Sequence, residues 1–251
     1  MKKLTFIFIV ISLFAISKNG IAQDKNEQLW YCWEETVKPE MINEYLELSN
    51  DFLELYKSEN FPFAIYTWQK QPFRYELWTP INSLSDIDKI TEASMKIAEK
   101  LGAEKYAAFK NTILHNKEYT LTMRNDLQCT PENPIYTNDE INFEFCISVY
   151  IKSGKQKEFE ETLIDFNKKR AKLGSPIFVA TGGFGMEQPC YTIMMTGKDE
   201  ETFLKLQNET AEILAKERDE YFNKIYKLMR KPSTNYNWYF LRNLSYEPAR
   251  N

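Results

Sequence analysis

The sequence predicts an α+β fold: two tandem β-α-β-β-α-β ferredoxin-like repeats, packed sheet to sheet within one chain. Three observations carry this reading. The chain repeats itself at an offset of 114 residues. Each copy spells the same order of strand and helix patterns. The strand faces turned away from the helices are too aromatic to be left in water.

The repeat begins with "YCWEETVK" over "FCISVYIK", where Cys32 meets Cys146. At the same offset Lys38 meets Lys152, Glu44 meets Glu158, Glu47 meets Glu161, Asp51 meets Asp165, Phe52 meets Phe166, Pro62 meets Pro176 and Thr67 meets Thr181. That is eight identities over 37 positions without a gap. A period of this kind is read before anything else, because it sets the architecture.

In the first copy, Tyr31–Val37 alternates as a strand. Pro39–Lys57 has helical spacing, with Met41, Tyr45, Leu48 and Phe52 on one face. Pro62 restarts the chain as strand Phe63–Trp68, Gln69–Pro72 turns it, and Arg74–Thr79 returns. Ser85, with Asp88 three residues on, opens a second helix that Gly102 interrupts and Tyr106–Leu114 continues. Tyr119–Arg124 is the fourth strand. The second copy runs as strand Phe145–Ile151, helix Lys155–Leu173, hairpin Ile177–Thr181 and Tyr191–Thr196, helix Glu200–Met229 and strand Trp238–Arg242. The predicted units are therefore a signal peptide over 1–22, repeat 1 over 23–126, a linker rich in Asn and Pro over 127–140, and repeat 2 over 141–251.

Alternation assigns the faces. Tyr31, Trp33, Val37, Phe145, Ile147 and Ile151 look toward the helices. The opposite, inter-sheet face takes Trp30, Cys32 and Glu34, then Cys146, Ser148 and Tyr150. The third strands add Arg74, Glu76 and Trp78, then Tyr191, Ile193 and Met195; the fourth strands add Arg124, then Trp238, Phe240 and Arg242.

In element order, repeat and alternation the chain resembles the dimeric α/β barrel superfamily, with its antibiotic-biosynthesis-monooxygenase-like, EthD-like and NIPSNAP-like domains. The resemblance spans about residues 27–246 and rests on no signature motif. It implies that one chain supplies both units as a monomeric pseudo-dimer, with further oligomerisation left open. It also implies a cleft used in different members for quinone-like, phenolic or haem chemistry.

Composition bounds the rest. Lys2 and Lys3, the apolar run Leu4–Ile16 and the small residues Gly20 and Ala22 spell a cleavable leader, so secretion or a periplasmic location is expected. Removing Lys2, Lys3 and Lys18 takes the formal charge from −4 to −7. So acidic a chain lacks the footprint of a nucleic-acid or anionic-lipid binder. Cys32, Cys129, Cys146 and Cys190 allow bridges or buried thiols alike. No motif asks for a metal or cofactor. The glycines of "TGGFG" (181–185) lack dinucleotide-loop spacing and read as a long hairpin. His115, the one histidine, falls at a helix end, where a surface or capping role fits best.

One constellation carries chemistry. Glu34, Arg74, Glu76 and Arg124 are expected on the inter-sheet face, at the polar end of a pocket walled by Trp30, Trp78, Trp238 and Phe240. Carboxylates taken from water need partners, and the two arginines are the ones at hand. The expected function is a small-molecule-binding protein taking an aromatic or apolar ligand. The alternatives are a cofactor-independent monooxygenase with Glu34 or Glu76 as base, a haem-handling enzyme, and an interaction module without a site.

Overall fold

The computed structural model describes residues 27–173 and 176–249; the expected signal peptide, 1–22, lies outside the described residues. The strands are β1 (Glu27–Val37), β2 (Tyr66–Gln71), β3 (Arg74–Ile81), β4 (Ile113–Arg124), β5 (Phe143–Tyr150), β6 (Ile177–Gly182), β7 (Cys190–Gly197) and β8 (Thr234–Phe240). The helices are α1 (Ile42–Ser58), α2 (Asp86–Leu101), α3 (Ala103–Thr112), α4 (Gln156–Arg170), α5 (Glu200–Ile213) and α6 (Ala215–Leu228). Gly102, at φ 91°, breaks α2 from α3, and Leu214 breaks the long predicted helix into α5 and α6.

The arrangement of the sheets corrects the sequence-based expectation. There are not two sheets stacked face to face. All eight strands join in one closed antiparallel barrel, in the order β1-β3-β2-β8-β5-β7-β6-β4. Each half-sheet alone would leave two strands with unpaired backbone groups. Closure pairs those edges with each other, and nothing else abolishes them fully. One seam joins β2 to β8, with Trp68 opposite Phe240 and Gln69 opposite Tyr239. The other joins β4 to β6, with Leu121, Thr122 and Met123 opposite Gly182, Thr181 and Ala180.

The "TGGFG" loop finishes the second seam. Gly183 N–H donates to Thr120 O (2.8 Å), and Thr120 N–H donates to Phe184 O (2.9 Å). A Cβ on Gly183 would lie 2.3 Å from Thr120 Oγ1, and one on Gly185 would lie 2.3 Å from Glu118 O. The glycines let two backbones touch.

The barrel divides the core in two. Inside, Cys32, Trp78, Tyr119, Leu121, Cys146, Ala180, Met194 and Trp238 pack together. Outside, Val149, Ile151, Val179, Tyr191 and Ile193 meet α4 and α6 through Phe159, Leu163 and Ile225. Tyr31, Val37, Ile65, Tyr75 and Ile81 meet α1 and α2 through Tyr45, Leu53, Ile90 and Ile97. The expected assignment of β7 is therefore corrected: Tyr191, Ile193 and Met195 face the helices, and Thr192 and Met194 face the interior. The register gives the reason. Trp78 sits opposite Cys32 and Met194 opposite Cys146, so the later hairpin carries two extra residues. The sequence alignment had implied three, and a one-residue slip exchanges the faces of a whole strand.

Candidate functional site

The barrel interior holds a polar layer and an aromatic cavity. In the polar layer Lys70 Nζ donates to Glu34 Oε2 (2.8 Å) and Glu76 Oε1 (2.7 Å). Tyr119 Oη donates to Glu76 Oε2 at 2.7 Å, and Trp78 Nε1 donates to the same oxygen at 3.1 Å. Lys70 also lies 4.2 Å above the Tyr236 ring, and the Tyr236 hydroxyl is 2.8 Å from Ser148 Oγ. Desolvation works against the Lys70 charge, but Glu76, Tyr236 and Glu34 outweigh it and hold the ammonium form well beyond its usual range. Desolvation works against the Glu34 charge too, yet Lys70, Glu76 and Arg74 leave that carboxyl below its ordinary value. Burial and the Glu76 charge push the Tyr119 phenol far up.

The network is densest around Glu76. Both oxygens of fully buried Glu76 accept, Oε1 from Lys70 and Oε2 from Tyr119 and Trp78. A carboxyl with a lowered pKa is a weak base. Glu34, held down by Lys70, is thereby a poor base, and Glu76 is fully buried behind its three donors. Beside them Cys32 and Cys146 are free thiols, fully buried, and burial pushes both far above the ordinary thiol range, so neither is a nucleophile.

The expected arginines divide. Arg74 sits at the rim of the polar layer, its Nε 3.9 Å from Glu34 Oε1. Arg124 is not in the barrel at all. Leu121 and Met123 point inward, so Arg124 points out and pairs with Asp126 (2.7 Å), Glu160 of α4 (2.8 Å) and Glu27 (3.4 Å). The cation that does face both carboxylates is Lys70, which the sequence reading had placed in a turn. His115 lies exposed on β4 opposite Thr36, not at a helix end.

The aromatic cavity opens at the other end of the barrel, with a volume of about 280 Å³. Its wall is Trp30, Tyr66, Trp68, Trp78, Phe178, Met194 and Phe240, with Arg242 and Glu247 at the rim. The rings brace one another: Trp30 and Trp78 centroids lie 5.8 Å apart, Trp30 and Tyr66 5.7 Å, Trp68 and Phe240 4.8 Å. Trp238 is packed behind this wall against Trp78, at 4.9 Å. So Trp30, Trp78 and Phe240 line the cavity, and Trp238 packs behind it.

Two features of the cavity invite a ligand. Glu144 of β5 lines it, buried, with no hydrogen-bond partner or ion pair among the described residues. Burial alone raises its carboxyl to about 8. Among the described residues the indole Nε1 of Trp30 is a buried donor with no partner, as is that of Trp238. Aromatic faces hold a planar ring, and an unpaired acid beside an unpaired donor can bind and move a proton on its oxygen. The sequence carried a signal for Glu144: it shares the inward parity of Cys146 and Ser148, and a charge at an inward strand position is rare.

No protein-family model and no curated protein sequence matches the chain. Solved structures do resemble it. An anthrone oxidase-like protein superposes with a TM-score of 0.59 at 9% identity, covering 88% of this chain and 93% of that one. A candidate monooxygenase from Lactobacillus acidophilus gives 0.53 at 9% identity, over 87% and 95%. Another from Fusobacterium nucleatum gives 0.53 at 11% identity, over 87% and 94%. These are proteins of the dimeric α/β barrel type, and at such identities the likeness is one of fold. Haem, which some proteins of this type hold, does not fit here through histidine: His115, the one imidazole of the chain, lines neither the cavity nor the polar layer.

Proposed function

We propose that the chain is an enzyme for small hydroxylated aromatic molecules, working without a cofactor as an oxygenase in the barrel mouth, with Glu144 as its proton acceptor. The observation that carries this is the unpaired Glu144 carboxyl in a wall of aromatic rings. Trp30, Trp68, Trp78 and Phe240 hold the ring plane, and the Trp30 indole N–H donates to a ring oxygen. Glu144 takes a proton from an acidic C–H or O–H of the substrate, and the resulting electron-rich anion reduces dioxygen. For an anthrone the sum is one CH2 and one O2 giving one C=O and one water, with the proton on Glu144 returned to the departing oxygen. The likeness in fold to an anthrone oxidase-like protein and to two candidate monooxygenases supports this choice of class.

The test is oxygen uptake in an electrode cell with anthrone as probe. Uptake is expected to rise with pH through about 8, where Glu144 becomes a carboxylate. Glu144→Gln is expected to lower it by roughly 100-fold or more, the usual contribution of a general base. Anthrone that quenches tryptophan emission without any oxygen uptake would leave a binding protein and no enzyme. Neither quenching nor uptake would sink both readings.

A further inference from the structure

On the outer side of the barrel, helices α4, α5 and α6 and strands β5–β7 enclose a second cavity, of about 460 Å³. It shares no lining residue with the barrel mouth. Its walls are apolar, with Ile147, Leu163, Phe166 and Ile225 among them. Into these walls the chain sets a charge. Arg170, the last residue of α4, is only 4% exposed. Its Nε and Nη2 are both buried and without a hydrogen-bond partner among the described residues. Besides burial, the groups acting on its charge among the described residues are Cys129, Tyr136 and Tyr221, with no carboxylate. Two more polar atoms of the same lining are left open among the described residues. Gln207 Nε2 is a buried donor without a partner. Asn167 gives its Nδ2 to Leu127 O at 2.7 Å and keeps Oδ1 unpartnered.

An isolated buried guanidinium is costly, and removing water from it without supplying a counter-charge is what proteins avoid. Nε and Nη2 are the two donors along one edge of the planar group, the fork that meets both oxygens of a carboxylate. One fork and one positive charge suit a monoanion. The apolar walls suit an apolar remainder, and the volume lies within the range of small-molecule sites. We propose that this cavity binds an amphiphilic monocarboxylate, its head on Arg170 and Gln207 and its tail along Leu163, Phe166 and Ile225. The site is independent of the barrel mouth and of the chemistry proposed there.

The experiment is calorimetric titration of the whole chain with sodium decanoate, with decanol as the uncharged probe of equal length. Decanoate is expected to saturate one site and decanol to bind at least tenfold more weakly. Arg170→Met is expected to weaken decanoate at least tenfold while leaving the unliganded melting temperature equal or higher, because an unpaired buried charge is gone. Gln207→Leu, at a half-buried position, is expected to weaken decanoate several-fold with the guanidinium left in place. None of the chain's tryptophans lines this cavity, so their emission is expected to stay unchanged on binding. Equal binding of decanol, undiminished binding by Arg170→Met, a lowered melting temperature in that unliganded variant, quenched tryptophan emission or no binding of decanoate would each overturn the proposal; the last would leave a cavity that holds water.

Discussion

At the scale of single residues, the interior carries two kinds of carboxyl. Glu34 and Glu76 share Lys70; Glu144 and Glu35 are buried away from any ion pair among the described residues. Glu35 accepts from Tyr45 Oη at 2.7 Å in the helix-side core, yet burial still raises it to about 7. The raised values set a sign. Between about 4.5, the unfolded value, and about 8, the folded chain holds a proton on Glu144 that the unfolded chain has lost. Stability from this source is complete below about 4.5 and is lost as pH rises to about 8, with Glu35 adding a loss that ends near 7. At about 1.4 kcal/mol per pKa unit the sum is several kcal/mol. Urea denaturation between pH 4.5 and 9 is expected to show this fall, and Glu144→Gln to remove its upper part; a flat or rising profile in the variant-free chain would contradict the burial argument. Residues of this kind are the hardest to read from a chain. Lys70 looked like turn chemistry beside Gln69 and Pro72, and Glu144 lay one position before the repeated cysteine strand where the alignment paired it with Trp30.

At the scale of elements, the sequence was legible wherever a period was clean. The strand, helix, hairpin, helix order of each half was spelled by alternation and by 3.6-residue spacing, and Gly102 marked a real helix break. The misreadings lie where a length had to be counted through a turn. The hairpin before β7 placed Ile193 inside and Thr192 outside, the reverse of what its register gives. "TGGFG" was visible as a glycine-bearing hairpin, but not as the piece that sews β6 to β4, since its partner Thr120 is some sixty residues earlier. That seam makes a sharp prediction. Gly183→Ala is expected to destabilise by about 1–3 kcal/mol, because the new methyl meets Thr120 Oγ1 and must spread two paired strands. Gly154→Ala provides the contrast: it has the positive φ that Gly183 lacks, and nothing lies within 4 Å of its added Cβ, so it carries backbone strain alone. Melting curves of the two variants separate the contributions, and equal losses would mean that the seam is not tight.

At the scale of the whole molecule, alternation can say that a strand face is buried but not what buries it. Two stacked sheets and one rolled barrel give the same pattern of inward Trp30, Cys32, Trp78, Cys146 and Trp238. The difference lies in the backbone. Stacking would leave β2, β4, β6 and β8 as open edges, whereas the barrel spends those edges on each other. The two halves then depend on one another for both their edges and their shared interior. The linker adds to this, since Cys129 exchanges two 3.0 Å hydrogen bonds with Ile177 of β6 and Tyr136 donates to Thr196 O of β7. Neither half is therefore expected to fold alone. A chain of residues 23–126 would expose the β2 and β4 edges along with Trp30, Trp78 and Tyr119, which is the profile of an aggregating sheet. The whole chain is expected to unfold in urea as one transition, followed equally by tryptophan emission, which is weighted toward the first half, and by far-ultraviolet circular dichroism, which reports both. Transitions that separate, or a cooperative melt from residues 23–126 alone, would mean that each half carries its own stability and that the barrel is an assembly of two units.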